Sequence, residues 1–423
     1  MKKLLLITLI ASSLVFTSCF KDDDTPIIIE ETTIYINDNG GGTVDCPIVA
    51  VTGAITESTT WTADNIYQLN QKVVVSEGVN LTINPGTIIK GSAGTGSLAS
   101  ALIVARGATL NAQGTADQPI IFTSTSDDIS CGETAGTNLD ENDRGLWGGL
   151  IVLGYAPCSF SGDITEAQIE GIPAADTFGL YGGSDAADSS GVLQYISIRH
   201  GGALIGEGNE INGLTLGGVG SGTVINNIEV VGNVDDGIEF FGGTVDASNL
   251  LVWAQGDDAL DIDQAYSGTI DNAVVVLGDF SDHAFEIDGP EGTATGSFTL
   301  QNATIIGNTV TENGEYADYR SNAMGTTSNI FAYGFKDSSD VELDNDGVAT
   351  NYNDGLITFG AWEIVLPTGV ATAADIFVNK AETVTVTGFG STATAVTAGS
   401  QTVGATTSNL SWTYANTAAG LGF

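Results

Sequence analysis

The chain has 423 residues, with 52 Asp and Glu against 11 Lys and Arg and a formal net charge of −41. That charge excludes nucleic acid and bare anionic lipid as partners, because no basic patch can be assembled to displace their counterions. With 56 Gly, only 8 Pro and abundant Val, Ile and Thr, the composition predicts an almost wholly β protein, too long for most single compact cores.

At the N-terminus, Met1-Lys2-Lys3, the apolar run LLLITLIASSLVF and then TSC read as a positive n-region, a short h-region and a small-residue cleavage site. Residues 1–18 are predicted to be a signal peptide, too short to span a membrane. Cleavage before Cys19 resembles the lipoprotein signal, with Phe16 in place of the usual Leu. The resemblance implies that Cys19 becomes the diacylated N-terminal residue and anchors the protein to a membrane. The segment FKDDDTP (Phe20 to Pro26) resembles the Lys-plus-acidic export tag of surface lipoproteins of the Bacteroidetes type. That implies a lipid-anchored outer-membrane protein exposed at the cell surface; the alternative is an acidic tether without addressing role. Without Lys2 and Lys3, 9 basic residues face 52 acidic ones, a formal charge of −43.

Cys46, Cys131 and Cys158 follow Cys19. Cys131 and Cys158 flank one apparent repeat, so in an oxidising exterior they are expected to pair, with Cys46 left over. Two His and no close Cys pair argue against zinc.

Internal repeats organise the rest. VVVSEGVNLTINPGT (Val73 to Thr87) and LIVARGATLNAQGT (Leu102 to Thr115) match, with Gly78 to Gly107 and Leu81 to Leu110 both 29 residues apart. A second series carries Asn227, Asn249, Asn272, Asn302 and Asn329 at steps of 22, 23, 30 and 27. Such periods without helical phase predict a β-solenoid, each repeat being a coil that buries its apolar face by stacking on its neighbours. The asparagines are expected to form an internal ladder at a turn.

From about Trp61 to Gly360 the pattern resembles right-handed parallel β-helix proteins. WTADNIYQLNQKVVVSEGVNLTINPGTIIKG, DRGLWGGLIVLGYAP and VDDGIEFFGGTV are similar to segments of outer-membrane β-helix lipoproteins, a group that brings no established activity. The expected architecture is all-β, a right-handed parallel β-helix of about ten to twelve coils with capped ends, roughly 50 Å long. Residues 19–60 are assigned to tether and N-terminal cap, 61–360 to the β-helix and 361–423 to a C-terminal cap or tail. Ser124 to Asp143 and Ser159 to Ser190 read as inserted loops.

Three segments, DDGIEFFGG (Asp235 to Gly243), DDALDIDQA (Asp257 to Ala265) and DHAFEIDGP (Asp282 to Pro290), align at steps of 22 and 25. Ile238 and Phe240, Leu260 and Ile262, and Phe285 and Ile287 are predicted to point inward. Outward and turn positions then form columns: Glu239, Asp261 and Glu286; Asp236, Asp258 and His283; Asp235, Asp257 and Asp282; Phe241, Asp263 and Asp288. Coils about 4.8 Å apart make each like-charged pair cost roughly 1 kcal/mol even in water. The ten carboxylates are therefore candidate ligands for a cation, with Ca²⁺ favoured as a hard ion taking six to eight oxygens. No D-x-D-x-D-G loop is present. An acidic, merely solvated face is the alternative.

The same segments resemble the active-site coils of polygalacturonase-type glycoside hydrolases, whose motifs are N-T-D, D-D, G-H-G and R-I-K. Asp236, Asp257 with Asp258, and His283 fall at the first three. The resemblance implies an inverting hydrolase with Asp258 as acid, Asp236 and Asp257 as water-activating bases about 6.5 to 9.5 Å away, and His283 orienting. The match departs in NVDD for N-T-D, in the glycines missing around His283 and in the absence of R-I-K; Arg320 is the only nearby arginine. At −43 a polyanionic uronide would be repelled. His200 reads as a turn residue, and Trp147 and Trp253 as packing residues. The sequence thus supports a surface lipoprotein acting as a non-catalytic binding module, with a calcium-binding face and a glycan or outer-membrane protein partner. The alternative is a glycoside hydrolase on an extracellular polysaccharide.

Overall fold

The computed structural model describes residues 32–34, 46–173, 175–204, 210–311 and 314–423. The signal peptide, Cys19 and the acidic export segment lie outside the described residues. Thr32–Ile34 pairs antiparallel with Ile48–Ile55, and Ala167–Gln168 forms a small antiparallel ribbon with Leu180–Tyr181. Every other strand pairing among the described residues is parallel. The chain is a right-handed parallel β-helix, the form of β-solenoid that its resemblance implies.

Three files of strands give each coil three sides. One file carries the site and runs through Ile48–Ile55, Ile66–Val75, Ala101–Val104, Leu150–Leu153 and Leu214–Gly217. It continues through Ile238–Phe241, Leu260–Asp263, Phe285–Ile287, Ala317–Tyr319, Val341–Leu343 and Phe377–Asn379, eleven strands in all. The other two files meet at a bend within single strands. Asn227, Asn249, Asn272, Asn302 and Asn329 sit there with φ of 57°, 56°, 63°, 58° and 57°. Asn tolerates this left-handed region because its short amide bonds locally. Asn272 Nδ2 donates to Asn249 Oδ1 at 2.7 Å and Asn329 Nδ2 to Asn302 Oδ1 at 3.0 Å, so the amides tie coil to coil.

Alternation along each strand sends one set of side chains into the prism. Ile238, Phe240, Leu260, Ile262, Phe285 and Ile287 are each at most 1% exposed and belong to one continuous apolar core. Each such burial contributes about 1.5–3 kcal/mol, enough to fix the register and with it the opposite, outward columns.

Parallel pairing extends past both expected boundaries. Ile48–Ile55 lies before residue 61 and Thr59–Trp61 begins before it, and Trp362–Ile364, Phe377–Asn379 and Ala393–Ala395 follow residue 360. Apart from Ile48–Ile55, these end strands are only three residues long, which weakens their sequence signature.

The last residues do not cap the final coil. They turn back along the outside of the prism, over the asparagine bend. Ala405 N donates to Thr304 Oγ1 at 2.9 Å, Asn409 Nδ2 to Asn249 Oδ1 at 2.9 Å, and Ala415 N to Glu229 Oε1 at 2.7 Å. Leu410 and Ala415 close an apolar cluster with Val231, Leu251, Trp253, Val274 and Val276. Beneath them, Glu229 is fully buried beside Arg199, whose Nε donates to Ser197 Oγ at 2.7 Å and whose guanidinium lies 4.4 Å from the Tyr414 ring centre. The asparagine ladder is thus roofed by the tail instead of being enclosed in the core.

The expected Cys131–Cys158 disulfide is not formed. Cys131 pairs with Cys46, their Cα atoms 5.9 Å apart, and Cys158 is a free thiol. The loop after Ile120–Ser124 folds back over the outer face of Ile66, Ile88 and Ile121, where Cys46 enters the first coil. Lys90 Nζ holds it by donating to the Asp127 and Ile129 carbonyls, both at 2.7 Å. Cys158 lies on a different side of the prism, packed with Phe160, Tyr181 and Phe241.

Candidate functional site

One outward column of the eleven-strand file changes chemistry along its length. Its register reads Ala54, Val74, Ile103, Ile151, Thr215, Glu239, Asp261, Glu286, Asp318 and Glu342. Over the apolar coils lies the insert after Leu150–Leu153, packing Phe160, Ile169, Ile172 and Tyr181 on Ile103 and Ile151. Beyond Thr215 the column turns acidic and opens into a cleft of about 480 Å³.

Eight of the ten expected ligand residues line this cleft: Asp235, Asp236, Glu239, Asp257, Asp258, Asp261, Asp282 and Glu286. His283 lines it too, so all four candidate catalytic residues share one space. Asp263 and Asp288 instead line an adjoining hollow with Ser161 and Glu291. The columns are less solvated than an outward face implies: Asp236 is 7%, Glu239 5%, Asp258 3% and Asp261 8% exposed. Burial follows because neighbouring coils stand on either side and Glu170 and Glu210 add further wall.

The second column serves as a brace between coils. Asn212 Oδ1 accepts from Asp236 N at 3.3 Å, Asp236 Oδ1 from Asp258 N at 2.9 Å, and Asp258 Oδ1 from His283 N at 2.8 Å. Asn212 Nδ2 also donates to Glu239 Oε2. Asp261 Oδ1, in contrast, is buried without a hydrogen-bond partner, an arrangement that costs stability unless a ligand supplies the missing interaction.

Burial, then the charges of Glu170 and Asp257, push Asp235 up to about 7. Burial, then Asp258 and Asp282, push Asp257 up to about 6. Asp236, Glu239 and Asp261 are driven well above the usual carboxylate range by desolvation and mutual repulsion. Burial alone would depress the His283 ring, but its hydrogen bond to Asp258 and the surrounding carboxylates raise it to about 9.

Several site residues escape the three-segment alignment. Asp318 and Glu342 continue the column by two coils, and Glu315 and Asp340 accompany them. ADYR and VELD keep the alternation of FEID, a pattern that could have located them. Arg320 pairs with Glu286 and, at 2.8 Å, with Asp288; Lys380 pairs with Glu342 and, at 3.7 Å, with Asp340. No sequence signal marks these isolated cations as site residues.

The residues read as structural are so placed. His200 has φ 63° and its Nδ1–H donates to the Asp143 carbonyl oxygen at 2.7 Å, within a tight turn. Trp147 is fully buried, stacked on Phe122, and Trp253 packs beneath Tyr414. Among the described residues, no Phe, Tyr or Trp side chain lines the acidic cleft. Rings occur in a cavity of about 680 Å³ at the apolar end of the column, where Tyr155 and Phe178 meet Lys72, Glu77, Arg106 and Asp176.

Fold and cleft together define a parallel β-helix with an acidic, oxygen-rich groove on one side. The profile of the pectate-lyase-like β-helix domain matches residues 53–417, and the chain belongs to that family. Neither the curated proteins nor the solved structures contain a match to the chain.

Proposed function

We propose that the protein is a non-catalytic surface lipoprotein, anchored to the outer membrane through Cys19, whose acidic cleft takes up calcium. Its partner is a glycan or another envelope protein. The observation that carries the cation reading is Asp261, 8% exposed, which has a buried Oδ1 without a hydrogen-bond partner and a carboxylate oxygen within 4.8 Å of oxygens of Asp236 and Glu239. All donors there are hard carboxylate oxygens, the set suited to calcium. Among the described residues the cleft lining consists of carboxylates with His283 and Arg320, which favours an ion over a sugar at this position and leaves Tyr155 and Phe178 as the surface suited to a glycan.

Isothermal calorimetry with calcium chloride on the chelator-treated chain tests the reading. Saturable binding is expected, weakened at least tenfold in Asp261→Asn; no binding heat and no change in melting temperature at millimolar calcium would refute it.

Glycoside hydrolysis is the second reading, supported by the gathering of Asp236, Asp257, Asp258 and His283 in one cleft. Asp258 Oδ1 already accepts from His283, so Asp257, held at about 6, is the better placed proton donor. Product release from a panel of polysaccharides, abolished in both Asp257→Asn and Asp258→Asn, would replace the non-catalytic reading with this one.

A further inference from the structure

Among the described residues, five groups of three side chains bring ligating atoms within 4.8 Å of one another along the acidic file. Their charge environments differ. The group Asp258, His283 and Glu286 contains its own imidazole, with Nδ1 2.8 Å from Asp258 Oδ1 and 3.7 Å from Glu286 Oε2. The group Asp261, Glu286 and Asp288 is met by Arg320, which binds Glu286 and Asp288 together. The group Glu315, Asp340 and Glu342 is met by Lys380, which binds Asp340 and Glu342 together.

The two remaining groups, Asp235–Asp236–Asp257 and Asp236–Glu239–Asp261, share Asp236 and lie on the two preceding coils. Among the described residues no Lys, Arg or His forms an ion pair with any of these five carboxylates. The unpartnered Oδ1 of Asp261 stands at the border between the two halves.

We propose that Arg320 and Lys380 are internal counter-ions that occupy the later coils of the acidic file and confine an external divalent cation to Asp235, Asp236, Glu239, Asp257 and Asp261. The inference rests on the cation-binding reading and adds to it the location of the ion. A guanidinium bridging two carboxylates uses the same oxygens that an ion would coordinate, and charge-assisted hydrogen bonds of this kind are the strong ones. A divalent ion entering there would have to displace the bound cation. On the earlier coils it meets oxygens that no cation pairs directly, His283 and Arg320 acting on Asp257 only from beyond ion-pair distance. Arg320 and Lys380 are 40% and 42% exposed, so either can be replaced without opening a hole in the core.

The test counts calcium ions per full-length chain by equilibrium dialysis with elemental analysis, in the native protein and in Arg320→Gln, Lys380→Gln, Arg320→Lys and Asp236→Asn. Arg320→Gln and Lys380→Gln are each expected to bind one calcium more than native, Arg320→Lys the native number, and Asp236→Asn at least tenfold more weakly. Unchanged counts in both glutamine variants would overturn the counter-ion assignment. Should Arg320→Gln fail to fold, Lys380→Gln decides the matter by itself at the neighbouring group. If native protein binds no calcium, the cation-binding reading fails; a glutamine variant that then gains an ion would uphold the counter-ion role of the replaced residue, and one that gains none would refute it.

Discussion

Asp258 Oδ1 accepts two hydrogen bonds from His283, one from its backbone N–H and one from ring Nδ1, each 2.8 Å long. The backbone bond joins one coil to the next, while the ring bond places a cation among Asp258, Asp282, Glu286 and Glu315. A single carboxylate thus has a structural and an electrostatic partner in the same residue.

The two roles separate in Asp258→Asn. The amide oxygen can still accept from the backbone, but the negative charge beside the ring is gone. The His283 ring should titrate far below its native value of about 9, toward its ordinary 6.5. NMR titration of the two histidines measures this directly, and a His283 pKa still near 9 would show that other carboxylates hold the proton.

Acid should stabilise the metal-free protein. Asp235, Asp263 and Glu315 are held up to about 7 and Asp257 and Asp318 to about 6, by burial and then by neighbouring carboxylates. In the unfolded chain these groups ionise near 3.8 for Asp and 4.5 for Glu. Between those limits the folded state holds more protons, so the stabilisation present below about pH 4 is lost as pH rises through 6 to 7. In chelator the melting temperature should be higher at pH 5 than at pH 8. Calcium should raise it at pH 8 and have little effect at pH 5, about 2.7 kcal/mol being expected at a hundredfold excess over Kd. The reverse order in chelator would mean that the cleft is ionised and neutralised by other means.

Glu229→Ala should be among the most destabilising single changes. It strands the Arg199 guanidinium, 2% exposed, and removes the acceptor for Ala415 N. Breaking a buried pair in this way costs about 3–5 kcal/mol. Glu229→Gln, which keeps an acceptor for Ala415 N, should cost less. Urea unfolding gives the magnitude, and limited proteolysis after Leu410 should show the tail released in the alanine variant. A cost under about 1 kcal/mol would mean the tail docks by its apolar contacts alone.

The Cys46–Cys131 bridge closes a separation of 85 residues. Chain-entropy arithmetic assigns such a loop about 4–5 kcal/mol. Cys46→Ser should lower the urea midpoint accordingly, as should reductant on the native protein. Cys158, whose thiol burial pushes up to about 12, should resist alkylation until the chain unfolds. Labelling of native protein at Cys158 would contradict its packed position.

The coils are legible because each repeats the same alternation against the same core, so Ile238, Leu260 and Phe285 announce one another. The acidic column is legible where that alternation is spelled with aspartates at fixed steps, and fades at Asp318 and Glu342, where the turns around it change. The cysteine pairing fails because spacing by one coil assumes that both cysteines sit in the stack, whereas Cys131 lies on the loop that leaves it after Ser124 and folds back toward Cys46. Arg320 reaches the cleft, and Lys380 the later coils of the acidic file, only through the register of distant strands, which single basic residues do not encode. The tail is least legible of all: Thr406 N bonds Asn272 Oδ1 across 134 residues, with no repeat to signal it.

That tail changes how the rod bears force. A plain stack of coils touches only its neighbours and frays from its ends. Here the chain leaving the last coil is fastened in turn to Thr304, Asn272, Asn249 and Glu229. Tension applied at Phe423 therefore enters at the middle of the rod, near Glu229, and must strip those fastenings one after another before the final coil feels any load. The terminus that would be the weak end of a solenoid is its seat belt.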